Sequence, residues 1–282
     1  MSPLIDRGLD LSNLDSTSPD EFAAFREFYQ RTKGYALPAF EFWAEFGPEV
    51  LKRYRLQAKQ TGAESLIVPL SFLHLYAVIG YSEGILYEIR NAQAMGATKA
   101  QILETLAVAF LHAGPRGMQY VATSSQAYLE SYEEPTPAAA PFPVGWEPDP
   151  KAFESGLDFS EPGLTRAEIA SLETWYQRCQ GEIPPYVTFL AEFRPSLLKA
   201  YRSRFENSIR TALPKQMMPY LMTHFEVVRG SEDGIREGVL LAKGFGLSRA
   251  QTVDAIAWGL LYGGPAAASI AERAVGDTLR AW

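Results

Sequence analysis

Thiol is the scarcest resource of this 282-residue chain: Cys179 is its single cysteine. One thiol excludes an intrachain disulfide framework, fits a reducing compartment, and leads to the expectation of a cytoplasmic protein. Excess positive charge is also missing. The formal net charge is −7 and no basic stretch runs along the chain, which argues against nucleic acid as a partner. The N-terminal MSPLIDRGLDLSNLD has no basic-then-apolar pattern and so does not read as a signal peptide. The longest apolar run, around Leu66 to Tyr81, carries a proline and a histidine and is short for a membrane span. It reads as a buried helix. Period-two alternation is nearly absent too, so the expected fold class is all-α.

What the chain does have is a long sentence written twice. Residues 95–115, MGATKAQILETLAVAFLHAGP, return at 245–265 as FGLSRAQTVDAIAWGLLYGGP. Thr98-Lys99-Ala100-Gln101 and Ser248-Arg249-Ala250-Gln251 both read as capping boxes, in which hydroxyl and amide satisfy each other's backbone N–H groups. Gly96 and Gly246 stand just before, where a tight turn favours a residue without Cβ. Apolar residues follow at helical spacing, and Gly114-Pro115 and Gly264-Pro265 are expected to stop the two helices. Upstream, Tyr29-Gln30-Arg31 matches Tyr176-Gln177-Arg178, and Leu51-Lys52-x-Tyr54-Arg55 matches Leu198-Lys199-x-Tyr201-Arg202. His74 pairs with His224. Such a period, about one domain long, marks an internal duplication rather than a short solenoid repeat. The expected organisation is a first repeat over 1–133, a Pro/Ala-rich linker over 134–163, and a second, diverged repeat over 164–282.

The segments SLIVPLSFLHLYAVIGY, SEGILYEIRNAQAMGAT and AQILETLAVAFLHAGP resemble the carboxymuconolactone decarboxylase and alkylhydroperoxidase D-like family. The resemblance covers the core of both halves. It implies an all-α fold of two tandem alkylhydroperoxidase D-like helical repeats, and a homo-oligomer, here a dimer or trimer. The peroxidase branch of that family carries Cys-x-x-Cys-x-x-x-His before the turn glycine. Those positions fall on Tyr81, Gly84 and Glu88 in the first copy and on Ser231, Gly234 and Gly238 in the second. With no thiol at either place, dithiol peroxidase chemistry is excluded. The decarboxylase branch implies instead a carboxylate working on a small acidic lactone, and the first copy supplies Glu83 and Glu88.

The candidate catalytic residues are therefore Glu88, Glu83, His74 and His112. A buried carboxylate titrates near neutrality, and imidazole is the natural base there. On one continuous helix, His74, Tyr81 and Glu88 would share a face, although Gly80 stands between them. Arg116 and Tyr81 are the candidate substrate-binding residues, Arg116 because a guanidinium holds a carboxylate bidentately. Each has a plainer reading. His74 and His224 make a matched structural pair, Glu88 a partner for Arg90, His112 a dipole-favoured helix end, and Arg116 a surface charge. The favoured function is cofactor-free acid–base chemistry on a small carboxylated metabolite: decarboxylation, isomerisation or lactone opening. No metal and no membrane are expected. Two other readings stay open: a non-catalytic binding or assembly relative, and a metal enzyme using His74, His112 and Glu88 or Glu83.

Overall fold

A computed structural model describes residues 4–62, 64–136 and 142–282. Residues 137–141 of the expected linker lie outside the described residues. A two-strand hairpin, β1 (Ile5–Asp6) and β2 (Leu9–Asp10), precedes twelve α-helices among the described residues. The fold is all-α. Six helices make a first series: α1 Pro19–Lys33, α2 Pro38–Phe46, α3 Pro48–Gln60, α4 Ile67–Ile79, α5 Ser82–Ala94 and α6 Lys99–Glu130. Six more follow: α7 Arg166–Gln180, α8 Pro185–Phe193, α9 Pro195–Glu206, α10 Met217–Arg229, α11 Glu232–Gly244 and α12 Arg249–Arg280. None is long and apolar enough to cross a membrane.

Local sequence explains the starts and turns. Ser18, Thr98, Thr165 and Ser248 each close a complete capping box. Proline occupies the first turn of α1, α2, α3, α8 and α9, where its missing N–H costs nothing. The Gly-Pro pairs behave differently from the expected stop. Gly114 (φ 60°, ψ −164°) and Gly264 (φ 61°, ψ −162°) break the helix, and Pro115 and Pro265 restart it at once. A proline beginning a new helical segment lacks only an N–H that would have been an orphan anyway. So α6 and α12 continue, kinked, for 32 residues each.

α4 and α10 form the centre. Almost every side chain of both is buried, and the helices pack against each other as well as against α5, α6, α11 and α12. One apolar cluster therefore runs through both halves, from Leu70 and Leu73 to Leu221 and Met222. Outside it the halves repeat the same braces. Lys52 Nζ lies 2.7 Å from Glu21 Oε1 and donates to the Ser16 carbonyl, while Lys199 Nζ lies 2.6 Å from Glu168 Oε1 and donates to the Gly163 carbonyl. Residues 142–163, expected as a spacer, are strapped down. Phe153 is fully buried, and the Trp175 indole donates to the Ala152 carbonyl at 3.0 Å.

The halves are also latched by one carboxylate. Glu104 of α6 accepts from four consecutive N–H groups, Arg210 to Leu213, at 2.8 to 3.2 Å, ahead of α10. Hydrogen bonds to a charged acceptor contribute about 1.5–3 kcal/mol. We expect Glu104→Ala to cost about 2–3 kcal/mol, lowering Tm by roughly 2–4 °C for each of these. A thermal unfolding curve superimposable on that of the wild type would show that the latch holds nothing.

Candidate functional site

Glu88 sits in the middle of α5 and turns inward, 5% exposed. It borders a cavity of about 260 Å³ whose walls come from α1, α3, α4 and α5, with Trp258 and Leu261 of α12 closing it from the other half. Asn91, one turn on, donates from Nδ2 to Glu88 Oε2 at 2.9 Å and accepts from the Lys33 ammonium. Lys33 is the last residue of α1 and is itself buried. A carboxyl, an amide and an amine thus form a line along one wall.

Further cations stand behind that line. Arg55 Nε lies 2.6 Å from Asp6 Oδ2, and Arg7 Nη2 lies 2.8 Å from Glu64 Oε1, so each arrives with a counter-ion. The Tyr76 hydroxyl is hydrogen-bonded to the Tyr262 hydroxyl of α12. Burial penalises the carboxylate strongly enough to push Glu88 from 4.5 up to about 7, despite the Asn91 hydrogen bond and the Lys33, Arg7 and Arg55 charges. Burial likewise brings Lys33 from 10.5 down to about 8. Close to neutrality, then, this wall holds one group able to gain a proton and one able to lose it.

The other sequence-selected residues scatter. Gly80 ends α4 in the left-handed region (φ 74°, ψ 42°) and Tyr81 caps α5, so His74, Tyr81 and Glu88 share no helix face. His74 is fully buried, and among the described residues neither its ring nitrogens nor those of His224 make a hydrogen bond of good geometry, the Ser71 backbone being the polar neighbour of His224. Their edges pack on aromatic rings instead, His74 on Phe225 at 5.9 Å and His224 on Phe72 at 5.3 Å. Desolvation holds His74 well below the usual imidazole range and His224 down at about 3, so both stay neutral. This is the matched pair of the plainer reading, but without its hydrogen bonds.

Glu83 is exposed on the first turn of α5, and only its backbone carbonyl is used, by the Tyr35 hydroxyl at 3.1 Å. Arg116 is exposed, with its guanidinium 5.5 Å above the Tyr120 ring and away from the Glu88 cavity. Tyr81 packs edge-on against Tyr76 at 5.1 Å, one ring removed from the cavity lining. His112 borders a different cleft, in the second half. His74, His112 and Glu88 are therefore not gathered as a ligand set, and among the described residues no three His, Cys, Asp or Glu side chains are.

Lys33 and Asn91 escaped the sequence reading, yet a signal existed. At matched positions of the second half stand Gln180 and Leu241, beside Gly238 for Glu88 and Glu226 for Tyr76. At these four cavity positions the two repeats of the sequence differ, whereas Tyr54 and Arg55 of the same lining are repeated as Tyr201 and Arg202.

No protein-family model and no curated protein matches the chain. Among solved structures, that of a candidate gamma-carboxymuconolactone decarboxylase subunit from Burkholderia xenovorans is similar, with a TM-score of 0.55 and 16% identity over 98% of this chain and 100% of that one. At this identity the likeness is one of fold.

The raised Glu88 value has a consequence for stability. Between pH 4.5 and 7 the unfolded chain releases this proton while the folded chain keeps it, so stability falls as pH rises through that window. Each tenfold change in proton affinity between the two states is worth about 1.4 kcal/mol. Glu88→Gln removes the effect. Urea unfolding at pH 5 and pH 8 is expected to show the variant gaining roughly 2–3 kcal/mol on the wild type across the interval. Parallel stabilities at the two values would mean that Glu88 ionises normally in the fold.

Proposed function

We propose that the chain is a carboxymuconolactone decarboxylase-like enzyme performing cofactor-free acid–base chemistry on a small carboxylated metabolite in the Glu88 cavity. The observation that carries this reading is the buried Glu88 carboxyl joined through Asn91 to the Lys33 ammonium. A general acid works best with a pKa near the working pH, and burial supplies that for Glu88. The cavity, about 260 Å³, is smaller than sites for drug-sized ligands and suits a compact lactone or keto acid.

In this mechanism Lys33, with Arg55 behind it, holds the substrate carboxylate, the role first given to Arg116. In a decarboxylation the C–C bond to the leaving carboxylate breaks and its electron pair passes to an enolate. The Tyr76 hydroxyl donates to the enolate oxygen. Glu88 then delivers its proton to the carbon and recovers one from water. Isomerisation or lactone opening uses the same donor on a different atom. The similar fold of the Burkholderia protein supports this class of reaction without naming the substrate. The loss of the family's thiols, and of its histidine at Glu88, favours the binding or assembly reading instead; that reading survives if the wild type binds such acids and leaves them unchanged.

The two halves are proposed as products of one duplication, with the strap at 150–163 belonging to the second. A homo-oligomer is proposed on the exposed aromatic faces of α2 and α8, where Phe42 and Phe46 correspond to Phe189 and Phe193. Large exposed apolar faces generally mark contact surfaces. Sedimentation should give a dimer or trimer, reduced to monomer by Phe46→Glu with Phe193→Glu; a monomeric wild type would exclude it.

The enzymatic test is a panel of small γ-lactone acids and β-keto acids followed by NMR in D₂O. Glu88→Gln should lower kcat by about 10²–10⁴, and Lys33→Met should act mainly on KM. The wild-type kcat/KM profile should bend near pH 7. An acid turned over equally fast by wild type and Glu88→Gln would refute the assignment.

A further inference from the structure

The second half holds its own cleft, of about 700 Å³, between α8, α9, α10 and α11, with His112 of α6 reaching in from the first half. That volume lies within the range of small-molecule sites. Its polar groups are not copies of the Glu88 wall. Where the first half has Lys33, Tyr76, Tyr87 and Glu88, the second has Gln180, Glu226, Glu237 and Gly238.

The cleft is polar at its floor, apolar on its walls and cationic at its mouth. On the floor, Glu226 is 4% exposed, and among the described residues its Oε2 makes no hydrogen bond of good geometry, Ser231 being the neighbour that eases its charge. Gly234 faces it, and a Cβ there would overlap the carboxyl group. The His112 Nε2 is likewise buried without a partner. Glu237 accepts from the Tyr186 hydroxyl at 3.3 Å. The walls are formed by Tyr186, Tyr201, Leu190 and Met222. At the mouth, Arg204 is exposed and makes no ion pair among the described residues, and Arg229 touches only Glu226, at 3.5 Å. Arg236, by contrast, is held by Glu182 at 2.7 Å.

We propose that this cleft is a second binding site, taking a ring-bearing carboxylate whose carboxylate meets Arg204 while an oxygen at its far end meets Glu226 and His112. A guanidinium without a counter-ion recognises a carboxylate through two parallel hydrogen bonds. Flat aromatic walls favour a ring. Leaving Glu226 Oε2 and His112 Nε2 without partners is costly, and a hydroxyl or carbonyl oxygen reaching the floor relieves that cost. Burial shapes the floor: it raises the Glu226 carboxyl above its usual range and holds the His112 imidazole neutral, down at about 4. The site stands independently of the Glu88 reading, since none of these groups borders the first cavity.

The test is calorimetric titration of the full chain with 4-hydroxyphenylacetate and with tyramine, which has the same body but an ammonium in place of the carboxylate. Saturable binding of the acid is expected, with tyramine at least tenfold weaker. Arg204→Ala, at an exposed position, should weaken the acid about tenfold, the loss of one charge-assisted hydrogen bond. Lys33→Met should leave it unchanged. The ring resonances of His112 should shift on binding. Absence of saturable binding, preference for tyramine, sensitivity to Lys33→Met in place of Arg204→Ala, or a silent His112 would each overturn the proposal.

Discussion

Everything in this fold follows from the burial of α4 against α10. A helix with polar residues on one side can rest on a single neighbour. These two are buried nearly all round: Leu70, Leu73, Leu75 and Ala77 on one, and Met218, Leu221, Met222 and Val227 on the other, are all essentially inaccessible. Fully burying each large side chain contributes about 1.5–3 kcal/mol, so neither half is complete without the other. The repeats are units of sequence and of local structure, but the core is shared.

That central pair also decides where charge can be kept. At its middle the imidazoles of His74 and His224 are held neutral by burial. Charged groups gather at its ends and one layer out: Glu226 and Arg229 in the last turn of α10, and Glu88 and Lys33 where α5 meets α1. There the long helices cross over, α12 bringing Trp258 and Leu261 to the first cavity and α6 bringing His112 to the second. Both cavities lie between the halves because their walls are the two sides of one core.

The sequence made local structure legible and spatial partnership much less so. Capping boxes, the glycine turns and the buried run at 66–81 are governed by neighbours within four residues, and they read correctly from Thr98, Gly96 and their copies. Glu88 was selected because it stands where the resembled family carries its histidine, and it lies buried on a cavity wall. Glu83 lies elsewhere, since five residues along a helix turn a side chain to another face, in this case toward solvent. The His74–Tyr81–Glu88 face failed at Gly80, whose positive φ ends one helix before the next begins. His112 was placed with Glu88 because both belong to the first repeat, whereas the crossing of α6 delivers it to the second. Lys33 lies 55 residues before Glu88 in the chain, at the end of a helix that nothing local marks as part of a site.

The presence of both halves in one chain explains how two unlike cavities can share one core. In a symmetric dimer of separate units every interface residue appears twice, so a change that improves one site is imposed on the other. Here positions 112 and 262 are matched in sequence yet reach into opposite halves, and they differ: His112 borders the second cleft, while Tyr262 is hydrogen-bonded to Tyr76 of the first half. The same freedom is visible at 33 and 180, 76 and 226, and 87 and 237. Other matched residues did not diverge. Lys52 and Lys199, and His74 and His224, hold the frame, bracing the outer helices or filling the centre, while Tyr54 and Tyr201 each line the cavity of their own half. A single chain lets the walls of each cavity change alone, while the shared core keeps the frame the same in both.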